Sequence, residues 1–155
     1  MKPARIICCV LTAIICLTIV GGCDPGHGYV ELSSDSFFDR MIIQDGKVYM
    51  LCELEFVNES RFDLSIDKVI ASSPEDAENG LLKDPSLKFY IVSAESLSDV
   101  NEGNIEQLLD TAEGIRISGH GTVRYNVCFV GEHGGGMQKH DRELPDNITI
   151  ATRAR

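Results

Sequence analysis

The sequence predicts a mainly β protein, an antiparallel β-sandwich with one or two short helices. Three observations carry that expectation. Val48, Met50, Cys52, Leu54 and Phe56 fall on one side of an extended segment, and Glu53 and Glu55 fall on the other. This is the period-two pattern of a strand with one buried face. Val123, Tyr125, Val127 and Phe129 repeat the pattern later in the chain. Between the apolar runs at 41–44 and 47–50 stands Asp45-Gly46, a dipeptide suited to the tight hairpin turn in which both residues need positive φ.

The remaining elements follow in order. Phe37 and Phe38, with Met41 and Ile42, are expected to pack in the core. The hairpin's second strand runs over 47–57 and breaks at Asn58-Glu59-Ser60. Phe62, Leu64 and Ile66 alternate with Asp63, Ser65 and Asp67, and Val69-Ile70 prolong that strand. Ser73-Pro74-Glu75-Asp76 reads as a helix start, with a serine cap, proline in the first turn and acids near the positive end of the dipole. Gly80 ends that helix after a turn or two. Another strand is expected over 88–92.

Residues 104–113 are expected to form the longest helix. Ile105, Leu108, Leu109 and Ala112 stand at i, i+3, i+4 and i+7, one face of a helix, with Asn104 as its cap and Gly114 as its stop. Ile115 and Ile117 begin an extended segment, Gly119-His120-Gly121 turns the chain, and 122–130 is the second strongly alternating strand. Residues 131–146 form a polar, glycine-bearing connection, expected to be mobile, before a closing strand at Ile148 and Ile150. Several short strands joined by polar turns fit an immunoglobulin-like sandwich. There is no internal repeat and no low-complexity tract.

The N-terminus has a different character. Lys2 and Arg5 precede an apolar stretch from Ile6 to Val20 that only Thr12 and Thr18 interrupt, and Gly21, Gly22 and Cys23 follow. A basic start, an apolar run and small residues before a cut are the parts of a secretory signal. The run is short for a permanent span, since a bilayer core takes about 20 apolar residues. Val20-Gly21-Gly22-Cys23 resembles the lipobox of bacterial lipoproteins. That resemblance implies cleavage before Cys23 and a diacylglyceryl group on its thiol. Two or more acyl chains hold a protein stably to a membrane where one does so only marginally. The expected organisation is therefore a signal peptide over 1–22, a lipidated cysteine and tether over 23–28, and a single β-rich domain over 29–155.

Removing the signal takes away Lys2, Arg5 and three cysteines, Cys8, Cys9 and Cys16, but no acidic residue. The full chain has a net charge of −10, so the mature chain is more acidic still. Such a surface disfavours nucleic acid and anionic polymers. Its plainest consequence is solubility. The mature length suits one domain with one core.

Two segments, KVYMLCELEFVNES at 47–60 and NVCFVGEHGGGMQKHDRELPDNITI at 126–150, resemble a group of small bacterial lipoproteins to which no activity is assigned. The resemblance implies a lipid-anchored, β-rich, extracytoplasmic domain. It supplies no catalytic residue.

Four constellations invite a chemical reading. His133-Gly134-Gly135-Gly136 matches the segment that supplies oxyanion-hole amides in lipases and esterases. That chemistry also needs a Gly-x-Ser-x-Gly elbow downstream, and the chain has none. Glu132, His133, His140 and Asp141 are potential metal ligands, but their spacing is no known zinc pattern and Lys139 and Arg142 stand among them. No metal and no cofactor is therefore expected. His133, Lys139, His140 and Arg142 remain as an expected interaction loop. Cys52 and Cys128 lie on the two strongest strands in a compartment that permits oxidation. They are either an inter-sheet bridge of the immunoglobulin kind or two small apolar thiols. Alternation places Cys128 with Arg124 and Asn126, away from the face of Val127 and Phe129, which disfavours the bridge. Asn58-Glu59-Ser60 and Asn147-Ile148-Thr149 fit the glycosylation sequon and are read as a turn and a strand start.

No nucleophile–base pair, phosphate loop or metal spacing stands out. The functional expectation is a non-enzymatic binding or interaction module, tethered by Cys23 to the outer face of the cell membrane, whose ligand is a protein or a small molecule. The alternative is a structural or accessory subunit of an envelope assembly.

Overall fold

Asp45 and Gly46 take positive φ values of 50° and 72°. The turn they make joins β2 (Phe37–Gln44) to β3 (Lys47–Asn58) as an antiparallel hairpin with Gln44 opposite Lys47. The computed structural model describes residues 30–111, 115–137 and 143–154. The signal expected over 1–22, Cys23 and its tether over 23–28 lie outside the described residues. So do Ala112, Glu113, Gly114, Lys139, His140, Asp141 and Arg142. Among the described residues no helix is long and apolar enough to cross a membrane.

β3 is the spine of the sheet. One of its edges carries β2 and then β1 (Val30–Leu32), which pairs with Phe56–Asn58. The other edge carries β8 (Thr122–Glu132) from Lys47 opposite Glu132 to Val57 opposite Thr122. β8 pairs in turn with β5 (Ser86–Val92). The far edge of β5 is shared. Its first residues meet the end of β4 (Leu64–Ser72), Leu87 opposite Ala71, and its last meet β6 (Leu109–Asp110). β4 also carries β9 (Asn147–Ala154) and, at Leu64 and Ser65, β7 (Arg116–Ile117). Every pairing is antiparallel, and the curled sheet is a half-barrel.

The principal core fills the concave side. Val48, Met50, Cys52, Leu54 and Phe56 of β3 pack with Val127 and Phe129 of β8 against Ile66, Val69 and Ala71 of β4, with Leu81 and Leu82 at one end. The phase of β4 shifts within the strand. Leu64 and Ile66 are buried at even positions, Val69 and Ala71 at odd ones. The register against β9 shifts between Ile66 and Lys68. A bulge inserts one residue and so exchanges the faces, which keeps apolar side chains inward on both sides of Asp67.

A second apolar cluster occupies the opposite face of the same sheet. Ile42, Tyr49, Leu51 and Cys128 lie there with Val92 of β5, beneath Leu97, Val100 and Ile105. β3 is therefore buried on both faces over Val48–Cys52, while Glu53 and Glu55 are partly exposed beyond the cover.

The first helix forms as expected. α1 (Pro74–Glu78) has proline in its first turn and ends before Gly80, whose φ is +77°. Its N-terminus is capped differently. The Ser73 hydroxyl donates to Asp76 Oδ2 at 2.5 Å, and the Glu75 amide donates to the Asp146 carboxylate at 3.0 Å. The helix expected over 104–113 is corrected. Only α2 (Ile105–Leu108) forms, a single turn without a side-chain cap, and Leu109-Asp110 leaves it to pair with Val92 and Ile91 of β5. A helix this short gains little from its own hydrogen bonds, and strand pairing satisfies the next backbone groups instead. Ile105 is still buried, and Leu108 and Leu109 pack on the second cluster.

Candidate functional site

The glycine segment is not the free connection its composition suggests. β8 continues to Glu132, and His133 bridges to Leu82. Beyond it the backbone lies against residues 80–83. The Gly134 amide donates to the Leu81 carbonyl and the Gly136 amide to the Gly80 carbonyl, both at 2.8 Å. The Lys83 amide donates to the Glu132 carbonyl at 2.9 Å, and the His133 amide to the Gly46 carbonyl at 2.8 Å. A Cβ on Gly134 would lie 2.5 Å from the Gly80 oxygen, and one on Gly136 would lie 2.6 Å from the Gly80 carbonyl carbon. Glycine is used here for close approach of two backbones. The expectation of a mobile stretch is corrected for 133–136.

The same contacts bear on the residues singled out there. His133 is half-buried, and its Nε2 lies 3.1 Å from the Gly136 carbonyl oxygen. The Gly134 and Gly136 amides are committed to carbonyls and are not presented to a developing oxyanion. Glu132 forms an ion pair with Lys83 at 3.1 Å. Lys139, His140 and Arg142 lie outside the described residues, so the structure places only His133 of the expected interaction loop.

A different region has the features of a site. Residues 93–108 leave the end of β5, cross the second apolar cluster and return to the same place. The loop closes where the Ser93 amide donates to the Leu108 carbonyl at 2.8 Å, next to the Val92–Leu109 and Ile91–Asp110 pairs. Compact surface loops with adjacent ends, packed by their own side chains, are frequently functional. This one folds locally around polar turns. Ser96 accepts from the Ser98 amide before a 3-10 turn at Leu97–Asp99. Asn104 Oδ1 accepts from the Asn101 amide while its Nδ2 donates to the Asp99 carbonyl.

Side chains from the sheet hold this loop down. Arg40 Nη2 donates to the Leu97 carbonyl and, at 2.6 Å, to the Val100 carbonyl. Asn126 Nδ2 donates to the Ala94 carbonyl at 3.0 Å. At the far end Glu106 Oε1 accepts from both Lys47 Nζ at 2.8 Å and the Tyr49 hydroxyl at 2.7 Å. The hydrogen bond from Lys47, then that from Tyr49, holds the Glu106 carboxyl below its ordinary range. Lys47 is correspondingly raised by its bond to Glu106. Burial, then the bond to Glu106, raises the Tyr49 phenol. Beside Arg40 the margin of the loop leaves an open depression of about 480 Å³ lined by Ile42, Val100, Asn101, Glu102 and Gly103.

The cysteines are placed on neighbouring strands. Cys52 faces the principal core and Cys128 the second cluster, with Leu51 opposite Cys128 and Val127 opposite Cys52. Both are buried and no bridge joins them. The bridge is geometrically barred because the two side chains leave opposite faces of one sheet. Burial pushes the Cys128 thiol far above its ordinary range.

Asn58 is the residue whose importance sequence reasoning missed. It is 1% exposed, and its Nδ2 donates to the carbonyls of Phe62, Ile117 and Ser118 while its Oδ1 accepts from the Ser60 amide and hydroxyl. The sequon pattern here belongs to a structural knot at the end of β3. Comparison of the chain with family models, with curated proteins and with solved structures finds no match.

Proposed function

We propose that the chain is a lipid-anchored, extracytoplasmic protein of a bacterial cell membrane, and that its β domain is a non-enzymatic binding or interaction module. The observation that carries this reading is the placement of Val20-Gly21-Gly22-Cys23 immediately after a basic, apolar leader, with a short tether before the first strand at Val30. Lipid on Cys23 would hold the domain close to the headgroups. Its acidic surface would favour basic or neutral partners over nucleic acid. Fractionation of cells producing the wild type and Cys23→Ser tests the reading. The wild type should remain with membranes after a high-salt wash and the variant should not. Equal membrane retention of both would overturn it.

We also read the two arms of the curled sheet as the layers of an antiparallel sandwich. The immunoglobulin-like version has less support, because Cys52 and Cys128 stand on paired strands of one arm.

A second reading, an accessory subunit that docks through a sheet edge, is favoured by β9. Among the described pairings this eight-residue strand pairs only with β4, and an open strand edge is a template for a strand from another chain. Mild cross-linking in cells followed by affinity capture tests it. One stoichiometric protein partner, lost when proline replaces Ile150, which stands opposite Val69 with its amide on the open side, supports docking by this edge. A cross-linked partner that the substitution leaves unchanged counts against it.

A further inference from the structure

The loop at 93–108 is attached to the sheet in two unequal ways. At its neck the backbone is laddered, through Ser93 to Leu108, Val92 to Leu109 and Ile91 to Asp110. Across its body the polar ties to the sheet are made by the side chains of Arg40, Lys47, Tyr49 and Asn126. Beneath these ties lies the apolar contact of Leu97, Val100 and Ile105 with Ile42, Tyr49, Leu51 and Cys128. The sheet does not need that cover to keep its ladders. β3 pairs with β2 and β8 throughout this stretch, and the principal core on its other face is separate. Segments held by few contacts open at lower free energy than the laddered core.

We propose that residues 93–108 form a lid that lifts as a unit about its paired neck and uncovers the apolar face of Ile42, Tyr49, Leu51 and Cys128. The Arg40 clasp holds one end of the lid and the Glu106 clasp the other. Breaking either releases part of the cover without disturbing a strand. The buried Cys128 thiol reports the opening, because it lies on the uncovered face. Cys52 is the internal control. It lies one register step away on the neighbouring strand but faces the principal core, so only wider unfolding exposes it.

The test is timed modification of the mature, membrane-extracted protein with N-ethylmaleimide, read peptide by peptide by mass spectrometry. Cys128 should react at least roughly tenfold faster than Cys52, as local opening requires. Its rate should also rise less steeply with low urea, because lifting a lid exposes little surface. Glu106→Ala removes the acceptor of both Lys47 and Tyr49 and should speed Cys128 while leaving Cys52 unchanged. Equal rates and equal urea slopes for the two thiols in the wild type would overturn the lid. So would a Glu106→Ala variant that accelerates both thiols alike. The wild-type comparison stands even if that variant does not fold.

Discussion

The backbone amide of Gly136 donates to the carbonyl of Gly80 at 2.8 Å, and the same approach leaves no space for a Cβ on Gly136. The glycine segment and the turn after α1 are thus one structure, built from residues more than fifty positions apart in the chain. Gly134→Ala or Gly136→Ala must push two backbones apart. Overpacking of this kind costs roughly 1–3 kcal/mol. Urea denaturation should show a loss in that range, and the Gly134 and Gly136 amides should be protected in hydrogen exchange. Exchange at the unprotected rate, with wild-type stability in the alanine variants, would contradict the docked segment.

Asn58 satisfies three carbonyls at the point where β3 ends and the turn at Ser118 passes beneath it. Asn58→Ala removes this donor from all three carbonyls, although Ser118 keeps the Gly121 amide and Phe62 the Ser60 hydroxyl, and it adds a small void. Each lost hydrogen bond is worth about 0.5–1.5 kcal/mol, so a loss of roughly 1–3 kcal/mol is expected by chemical denaturation. Asn58→Asp, which cannot donate, should be no better than alanine. A variant as stable as the wild type would remove Asn58 from the framework.

The Glu106 clasp makes stability depend on pH with a definite sign. Its carboxyl is held below the ordinary value in the folded state by Lys47 and then Tyr49. Its contribution is therefore fully present above the unfolded carboxyl pKa and is lost as pH falls through the lower, folded value. The titratable groups that bond to it are Lys47 and Tyr49 on β3; Glu132, opposite Lys47 on β8, is paired with Lys83. The stability difference between the wild type and Glu106→Gln should be largest near neutral pH and shrink in acid. Because Lys47 is raised in the folded state, the difference should also shrink in strong alkali. Parallel stability curves from acid to neutral pH would show that the clasp contributes nothing.

Much of the fold was legible because it was local. Asp45-Gly46 carried its own turn, and the alternations at 48–56 and 123–129 carried the faces of β3 and β8. The bulge in β4 was not read, because Val69-Ile70 passed for a plain continuation of the strand, although the change from Leu64 and Ile66 to Val69 and Ala71 marks it. The short α2 was misread because Ile105, Leu108 and Leu109 satisfy a helical period and are buried in any case. What ends the helix is the distant edge of β5, which periodicity does not contain. The glycines at 134 and 136 suggested freedom, whereas glycine equally serves close contact, and the partner at 80–83 is invisible from the segment itself. The lid had one overlooked signal. Val48-Tyr49-Met50-Leu51-Cys52 is apolar at every position, the mark of a strand buried on both faces, so something had to cover the side of Tyr49 and Leu51.

The account as a whole rests on where the chain is held. The most direct measurement is the mass of the N-terminal peptide of the protein extracted from bacterial membranes with detergent. The account predicts a chain that begins at Cys23 and carries a diacylglyceryl group on that thiol, with residues 1–22 absent. A chain that retains Met1 or Lys2, or one that begins at Cys23 with an unmodified thiol, would contradict it.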